Sequence, residues 1–285
     1  LHVRSRRQRQ MCIRDRNVSL FFRNRVMIMS MSQHERLGYL ISYMQKEKNM
    51  TEAVPENFDE AFEVFRGLAN ERPAEAVTVD FIEIQDAFLK EYNGEDLTDA
   101  GSLTPVTERL YLWQGDITTL KADAIVNAAN PDMLGCLIPN HDCIDNIIHT
   151  KAGVSLRLEC AKIMEAQGRK EAVGRAKITS GYNLPADHVL HTVGPYVKDG
   201  KVSPMKEELL KKCYMSCLKV ADRESLSNIA FCSISTGVFG FPKEAAAKIA
   251  VQTVKEYMNN TNSELEVIFN VFDDEDLNIY RKHLT

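Results

Sequence analysis

The sequence predicts a three-layer α/β/α sandwich with a mixed or mainly parallel sheet, preceded by a small helical segment. Three observations predict this fold. From about residue 105 onward, apolar strand-like runs alternate with amphipathic helix-like runs, which is typical of a sheet covered by helices. Before that point, apolar residues repeat only at helical spacing. Between the two lies the polar stretch NGEDLTDAGSLTPVTERL, whose Gly and Pro indicate a boundary. The predicted domains are residues 31–104 and 105–285.

The composition limits the class of protein. The chain has 285 residues, 44% of them hydrophobic, which is enough for one large domain or two small ones with a sizeable core. No apolar run approaches the ~20 residues that a membrane helix needs. The seven cysteines are an odd number without the density of a disulfide scaffold, so the sequence predicts a reducing, cytoplasmic setting.

The first 30 residues differ from the rest. Residues 1–26 hold eight Arg against one Asp, while the whole chain carries a net charge of −5. A targeting peptide and a basic nucleic-acid arm are two possible interpretations. The segment RRQRQMCIRDR also resembles translated sequencing-adaptor read-through, and Met27, Met29 and Met31 offer starts just after it. We therefore predict that residues 1–30 are a non-native or disordered leader. The remaining charge of about −12 argues against nucleic acid as the main partner.

Residues 31–104 show a purely helical pattern. Apolar residues recur at helical spacing in three stretches, and the sequences VPENF and ERPAEAV supply the breaks. The third helix is predicted over Phe81 to Leu89, with Thr78 as its cap. Stripes of Phe, Leu and Ile of this kind are typical of core packing, so no chemistry is assigned to them.

The second domain alternates strands and helices. The predicted strands, in order, are RLYLWQGDI, ADAIVNAAN, AKITSG, HVLHTVGP, SNIAFCSIS and LEVIFNVFD. The predicted helices are AGVSLRLECAKIMEAQG with a Gly stop, SPMKEELLKKCYMSCLKVADRE with Pro204 at its first position, FPKEAAAKIAVQTVKEYMNN and DEDLNIYRKHL.

Polar or Gly-bearing segments follow three of the apolar strands: the sequence GDI at 115–117, Asn130 with the Cys/His-containing stretch after it, and TGVFGFP before a helix. Ligands of open α/β sheets bind beyond the carboxyl ends of the strands. The amides of a Gly-bearing turn at a helix N-terminus suit a diphosphate. An ordinary strand–helix turn is the alternative, since short Gly loops are weak signals.

The stretch GCLIPNHDCIDN, residues 135–146, predicts a metal site. Cys136, His141 and Cys143 offer two thiolates and one imidazole, which are good zinc ligands. Three ligands leave a fourth position for water or substrate, as at a catalytic zinc. A structural zinc with a distant fourth ligand stays open. Four further cysteines are predicted to be buried thiols: Cys160, Cys213, Cys217 and Cys232.

Together, QGDIT, AIVNAAN, HTVGP and STGVFGFP, in this order, resemble the macrodomain family of ADP-ribose binders over residues ~110–284. The pattern of Cys136, Pro139, His141 and Cys143 followed by IDN is similar to that of the zinc-dependent branch, the bacterial and fungal protein-ADP-ribose hydrolases. The helical segment resembles the N-terminal region of that branch, with its paired prolines reduced to Pro73. The resemblance therefore spans about residues 33–284.

The resemblance implies a role for each residue that matches the motifs. Asp116 would accept the adenine amino hydrogen, with the Ile117 backbone beside it. The implied ligands of the distal ribose are Asn127 and Asn130, and those of the diphosphate are Ser235, Thr236, Gly237, Val238 and Phe239. Phe239 would also pack on the distal ribose, and Phe272 near the adenine. Zn²⁺ would be held by Cys136, His141 and Cys143. The catalytic residues would be Asp145, which orients or deprotonates a water, and Asn130.

Each of these residues has a structural alternative. Asp116 could be a turn residue or a helix N-cap. Asn127 could satisfy buried backbone groups. Phe272 could belong to the core, as aromatics at strand ends usually do. Asp145 could cap the helix that it precedes.

The resemblance implies a zinc-dependent hydrolase that removes mono-ADP-ribose from modified proteins. The alternatives are an O-acetyl-ADP-ribose deacetylase and a non-catalytic reader of ADP-ribose. The resemblance also implies partners, namely a sirtuin-type ADP-ribosyltransferase and a lipoylated carrier similar to the glycine-cleavage H protein. Neither nucleic acid nor a membrane is expected as a partner. His149, one turn after Asp145, and His191, in a strand, are predicted to be supporting or structural.

Overall fold

The computed structural model describes residue 28 and residues 30–285. The predicted leader, residues 1–30, thus lies almost entirely outside the described residues. The described chain divides into two compact units. The first runs up to Phe65 and includes Val77–Phe88; the second contains Arg66–Ala76 and Leu89–Thr285. The boundary at residue 105 remains a prediction.

The first unit is helical, as predicted. It is built on helices α1 (Gln33–Glu47), α2 (Phe58–Glu71) and α3 (Val79–Asn93), although α2 and α3 both end in the second unit. Helix α1 begins with a capping box, in which the Ser32 hydroxyl accepts from the Glu35 amide and the Glu35 carboxylate accepts from the Ser32 amide. The predicted cap of the third helix is confirmed, because Thr78 Oγ1 accepts from the Phe81 amide at 3.3 Å.

The second unit alternates strands and helices. Its elements are β1 (Thr98–Asp99), β2 (Pro105–Thr107), β3 (Leu110–Gln114), β4 (Leu120–Lys121), β5 (Ala124–Ala128), α4 (Ile144–Ala152), α5 (Val154–Gln167), β6 (Ala176–Ser180), β7 (His188–Thr192), α6 (Pro204–Arg223), β8 (Asn228–Phe231), α7 (Lys243–Asn260), β9 (Glu266–Val271) and α8 (Asp274–Leu284). Among the described strands, β1 and β4 pair only with each other, and the sequence did not predict this small sheet.

The main sheet is mixed. Its order is β2-β3-β9-β8-β5-β7-β6, in which the five central strands are parallel and both edge strands run antiparallel to their neighbours. Strands β5, β8 and β9 are buried along nearly their whole length. Strands with this pattern need helices on both faces of the sheet. The helices form two groups, α4 with α5 and α6 with α7 and α8, each in contact with the sheet.

This architecture confirms the predicted α/β/α sandwich. Its five parallel strands bring their carboxyl ends to one edge of the sheet, which is where the predicted ligand-binding segments begin. The four cysteines predicted as buried thiols, Cys160, Cys213, Cys217 and Cys232, are buried and free. Among the described helices, none is long and apolar enough to cross a bilayer.

Candidate functional site

Four predicted binding segments leave neighbouring strands at the same edge of the sheet. Asp116 follows β3, Phe272 follows β9, residues 235–239 follow β8, and Asn130 follows β5. These strands are adjacent in that order. Neighbouring strands lie about 4.8 Å apart, so the four segments span roughly 14 Å. An elongated ligand lying across the strand ends would meet them one after another, although they are far apart in sequence.

Asp116 begins a short 3₁₀ helix, Ile117–Thr119. Its Oδ1 accepts from the Thr118 amide at 2.9 Å and from the Thr118 hydroxyl at 2.6 Å, and its Oδ2 pairs with Lys151 Nζ at 3.0 Å. The proposed turn and cap role is therefore confirmed as its structural role. Burial raises the pKa of the Asp116 carboxyl, but the Lys151 charge and the Thr118 hydrogen bonds outweigh it and lower the pKa overall. The side chain stays 38% exposed, so it remains reachable.

Phe272 is not a core residue. It is 78% exposed directly after β9, so the core alternative is wrong. Its backbone is held in place, because its carbonyl accepts from the Gln114 side-chain amide at 3.4 Å. An exposed aromatic face at this point offers a flat apolar surface to a ring such as adenine.

The turn at residues 235–239 has the geometry of an anion cradle. Ser235 adopts a left-handed backbone with φ of 68°, and its carbonyl accepts from the Phe241 amide at 2.9 Å. The amides of residues 237–239 donate to no group in the part of the chain that the structure describes. Successive free amides of this kind bind phosphate oxygens. Gly194 is needed beside the turn, because a Cβ there would lie 2.0 Å from Ser235 Oγ.

Phe239 at the end of this turn is half-buried against an aromatic residue that the sequence analysis missed. The ring of Tyr196 meets it edge to face, with centroids 6.1 Å apart. Tyr196 is 56% exposed. Tyr196 directly follows the sequence HTVGP at the end of a predicted strand. This position was the only feature of the sequence that could have indicated its place in the site.

Asp145 lies in the first turn of α4, whose N-cap is Cys143. The alternative that Asp145 caps this helix is therefore wrong. Its carboxylate is 5% exposed and accepts from Asn127 Nδ2 at 2.8 Å and from Asn130 Nδ2 at 3.1 Å. Burial raises the pKa of Asp145 to about 6, although the two amide donors act in the opposite direction. Asp145 is thus a buried carboxylate held by two donors.

Asn127 donates to Asp145 from strand β5. It is fully buried, and its contacts are with side chains rather than with backbone. The carboxylate can only accept, so Nδ2 must face Asp145, and the same group lies 3.1 Å from His191 Nδ1. His191 must therefore accept at Nδ1 and carry its hydrogen on Nε2, which lies 2.9 Å from Thr179 Oγ1. That Asn127 lines the ribose end remains a prediction; its observed contacts position Asp145.

Asn130 holds the backbone of residues 132–135, which lead into the Cys/His loop. Its Oδ1 accepts from the Asp132 and Met133 amides at 3.0 and 3.1 Å, and its Nδ2 donates to the Gly135 carbonyl at 2.9 Å as well as to Asp145. The loop therefore starts in a defined direction. The buried His149 also lies beside Asp145. Its Nε2 lies 3.7 Å from Asp145 Oδ1, and neither ring nitrogen has a hydrogen-bond partner among the described residues.

The three predicted metal ligands converge. The donor atoms of Cys136, His141 and Cys143 all lie within 4.8 Å of one another, and no fourth His, Cys, Asp or Glu among the described residues joins the group. His141 Nδ1 is buried and has no hydrogen-bond partner among them. Burial, together with the neighbouring Cys136, raises the pKa of Cys143 to about 12. The donor set fits zinc with a position left for water.

Comparisons with known proteins agree with this geometry. Residues 126–250 match the family model for the Macro domain. Over 254 residues, the chain is 55% identical to "Protein-ADP-ribose hydrolase" of Staphylococcus aureus (strain MRSA252), covering 88% of this chain and 96% of that one. It is 47% identical to the protein of the same name from Treponema medium over 259 residues, covering 88% of this chain and 99% of the relative.

Two solved structures show the same fold. The Oceanobacillus iheyensis macrodomain with ADP is 36% identical, with a TM-score of 0.57, covering 64% of this chain and 93% of that one. The Trypanosoma brucei macrodomain in complex with ADP-ribose is 29% identical, with a TM-score of 0.60, covering 74% of this chain and 92% of that one. With matches of this extent and identity to its relatives, the chain belongs to the Macro domain family.

Proposed function

We propose that the chain is a zinc-dependent hydrolase that removes mono-ADP-ribose from ADP-ribosylated proteins. The observation that carries the proposal is the order of the segments along the sheet edge: Asp116 and Phe272, then the amide cradle at residues 237–239, then Asn130 with Asp145 and the Cys/His loop. This is the order of adenine, diphosphate and distal ribose in ADP-ribose. The names of the two bacterial relatives state the activity, and the Trypanosoma structure contains ADP-ribose.

The ligand would be bound by chemistry suited to each of its parts. Asp116 has acceptor capacity beyond Thr118 and Lys151, since a carboxylate offers about four lone-pair sites, and it would accept from the adenine amine. The amides of residues 237–239 would hold the diphosphate, together with Ser235 and Thr236 in the same turn. Phe239 would contact the ribose that follows. These contacts would leave the anomeric carbon of the distal ribose near Asp145.

Hydrolysis breaks the bond between the anomeric carbon and the acceptor side chain. A water oxygen bonds to that carbon, and the acceptor side chain leaves with a proton. Asp145 would orient that water and take its proton, as a general base. Asn127 and Asn130 hold both carboxylate oxygens of Asp145, so that the base is fixed before the substrate arrives.

Cys136, His141 and Cys143 would hold the zinc ion. When bound there, zinc would supply Lewis-acid chemistry to a ribose hydroxyl or to water. The support for this part is the convergence of the three donors and the unpartnered, buried His141 Nδ1.

Two other functions would use the same edge of the sheet. A deacetylase acting on free O-acetyl-ADP-ribose would need the same pocket, and a reader would need only the cradle. A buried carboxylate braced by two amides, beside a three-donor cluster, has no purpose in a reader. This favours a hydrolytic enzyme.

The protein partner is a finer part of the proposal. We infer a substrate that a sirtuin-type transferase modifies, such as a lipoylated carrier similar to the glycine-cleavage H protein. A Fusarium oxysporum relative, 46% identical over 186 residues, is named a probable bifunctional ADP-ribose hydrolase/ADP-ribosyltransferase. That name joins the two opposing activities in one protein and supports the pairing.

The test begins with metal analysis of the purified protein. Release of ADP-ribose from a mono-ADP-ribosylated protein is then measured before chelation, after chelation and after zinc is restored. We expect chelator to abolish release and zinc to restore it. Deacetylation of O-acetyl-ADP-ribose is measured in parallel. Activity on the free ester alone would favour the deacetylase, and ADP-ribose binding without any turnover would favour the reader.

A further inference from the structure

The Cys/His loop does not hold its shape alone, because side chains from helix α2 contact it. Arg66 Nε donates to Asn146 Oδ1 at 3.1 Å, and Arg66 Nη2 donates to the carbonyl of His141 at 2.9 Å. The second acceptor belongs to one of the three donor residues of the metal cluster. Arg66 therefore fixes the backbone of a predicted ligand, and the two residues are 75 positions apart in sequence.

Asn146 extends this contact to the start of the loop. It is fully buried, and its Nδ2 donates to the carbonyl of Ile138 at 3.0 Å and to that of Cys136 at 3.4 Å. Its Oδ1 is the group that accepts from Arg66. One guanidinium thus reaches the backbone of two donor residues, His141 directly and Cys136 through a single amide side chain.

One turn further along α2, Asn70 repeats the arrangement. Its Oδ1 accepts from the amide of Asn140 at 3.0 Å, and its Nδ2 donates to Thr150 Oγ1 in α4 at 3.0 Å. Asn70 is fully buried. The helix lies so close to the loop that a Cβ at Gly67 would sit 3.3 Å from Asn140 Oδ1. The two asparagine side chains, Asn70 and Asn146, and Arg66 together contact four successive parts of the loop.

The end of α2, which belongs to the second unit, is itself anchored within that unit. Arg157 in α5 donates to the carbonyls of Ala69 and Arg72, each at 2.6 Å, and to the carbonyl of Leu134 at 2.7 Å. Leu134 lies two residues before the loop. The buried Arg157 side chain therefore hydrogen-bonds both to the end of α2 and to the segment that leads into the loop.

We propose that residues 66–71 of α2 act as a brace that fixes the backbone of the loop at residues 136–143 and so sets how tightly the loop holds a metal ion. Arg66 and Asn70 are positioning residues in this arrangement, because they bind backbone groups of the loop. The proposal rests on the proposed zinc function for the identity of the metal. It gives a purpose to a helical segment whose role the sequence leaves open.

The physical reason is preorganisation. Three donors on an eight-residue loop bind a cation tightly only if the loop does not have to be ordered at the moment of binding. The brace orders the backbone beforehand because its hydrogen bonds add to those within the loop, where the carbonyls of Ile138 and His141 also accept from the amides of His141 and Cys143. Losing the charge-assisted bonds of Arg66 should weaken zinc binding by about tenfold or more.

The test measures zinc affinity by competition with a chromophoric chelator in the full chain, the Arg66→Gln and Arg66→Lys variants, and Arg169→Gln as the matched control. Arg169 is exposed and lies in the turn after α5. We expect zinc affinity to fall at least about tenfold in R66Q and by less in R66K, because one amine cannot reach both acceptors. R169Q should match the wild type. Affinity of each metal-free protein for ADP-ribose should change by less than about twofold.

Two further measurements separate positioning from a general structural role. Amide hydrogen exchange at residues 138–143 in the metal-free protein should be faster in R66Q than in the wild type, while the β5 and β8 amides stay protected. Turnover of R66Q should recover as zinc is raised to saturation. Unchanged zinc affinity and unchanged loop exchange in R66Q would overturn the brace, and so would unfolding of both Arg66 variants.

The outcomes also distinguish this inference from the proposed function. If the wild type and R169Q bind no zinc, both proposals fail. If zinc affinity depends on Arg66 but hydrolysis withstands chelation, the brace stands and the zinc-dependent mechanism fails. If hydrolysis requires zinc but R66Q binds it normally, only the brace fails.

Discussion

At the scale of single residues, Asp145 is the residue whose environment best supports a catalytic role. It is nearly fully buried, and both its oxygens accept from asparagine amides. Keeping a carboxylate in this position costs desolvation energy that the amides only partly return. Proteins tolerate such an arrangement where chemistry requires it, which is the physical basis for assigning the base to this residue.

Asp145→Asn should lower turnover by about 10² to 10⁴ because it removes a general base while keeping the side-chain volume. Affinity for free ADP-ribose should change little, since adenine and diphosphate meet Asp116 and residues 237–239. Single-turnover hydrolysis and calorimetric binding measure the two quantities. The control is Asp132→Asn, an exposed aspartate paired with Lys170. Turnover within tenfold of the wild type would move the base elsewhere.

The sequence predicts some residues of this site and not others, depending on how far apart in the chain the interacting residues are. Cys136, His141 and Cys143 lie within eight positions, and their clustering follows from local spacing. The link from Asp145 through Asn127 to His191 could not be predicted, since it depends on strand register: Asn127 and His191 are direct partners on the parallel strands β5 and β7. Arg66 is likewise separated from His141 by 75 positions. Local patterns predict local clusters, and long-range packing decides what supports them.

At the scale of elements, the apolar runs predicted β5, β8 and β9 because each contains consecutive buried apolar residues. The strands β1 and β4 have two residues each, which is too short to show an alternation of apolar and polar residues. Helix α4 has a cysteine at its N-cap with no side-chain hydrogen bond, so it lacks the capping signal that marks α1. The sequence analysis therefore expected a helix after Asp145 without giving its bounds, and it missed β1 and β4, which depend on their pairing with each other.

The turn after β8 depends on the close approach of Gly194. A Cβ at that position would lie 2.0 Å from Ser235 Oγ and 2.9 Å from Ile234 Cγ2, so Gly194→Ala must displace the turn. We expect a loss of ADP-ribose affinity of about tenfold or more, with a stability cost of about 1–3 kcal/mol. Calorimetry and urea unfolding measure these. Gly38→Ala, where a Cβ meets nothing within 4 Å, should leave affinity unchanged. Normal affinity in G194A would show that the turn does not bind the ligand.

Strand β7 should make stability depend on pH. Burial lowers the pKa of His191 to about 3, whereas the pKa of a histidine in the unfolded chain is near 6.5. Each unit of difference between the two pKa values corresponds to about 1.4 kcal/mol of free energy. Between these values the unfolded state binds more protons, so the free energy of unfolding falls as the pH is lowered from about 6.5.

His191→Gln removes this pH-dependent contribution to the free energy of unfolding. The difference in the free energy of unfolding between wild type and variant, here called the gap, should therefore narrow as the pH falls from 7 to 5. Urea unfolding at a series of pH values measures the gap. His34→Gln, at an exposed position in the first unit, should follow the wild-type curve. A gap that stays constant over this range would mean that His191 is not held neutral by its surroundings.

At the scale of the whole molecule, the fold and the metal loop are separable. The hydrophobic core of the second unit contains no residue between 135 and 143 among those described. Adenine and diphosphate contacts are expected from β3, β9 and β8, whereas the loop leaves β5. Binding, catalysis and stability should therefore respond differently to one change in the loop, and this difference separates a catalytic zinc from a structural one.

Cys143→Ala removes one of three donors. Two donors rarely retain zinc at neutral pH, so we expect zinc content near zero and hydrolysis reduced by orders of magnitude, while much of the ADP-ribose affinity remains. The melting temperature should fall only slightly, because α4 has no side-chain hydrogen bond from Cys143 at its N-cap to lose. Cys217→Ala is the control for stability, since Cys217 is a fully buried core thiol. It should cost stability through a cavity and retain both zinc and turnover.

Zinc content, melting temperature, ADP-ribose affinity and turnover are measured on one sample of each variant. A structural zinc makes the opposite prediction for C143A, namely a large loss of melting temperature with activity lost only through unfolding. Full turnover in zinc-free C143A would exclude the metal from the reaction. Unfolding of C143A at a temperature where C217A stays folded would assign the metal to stability, because the loop would then hold together the layer formed by α4 and α5.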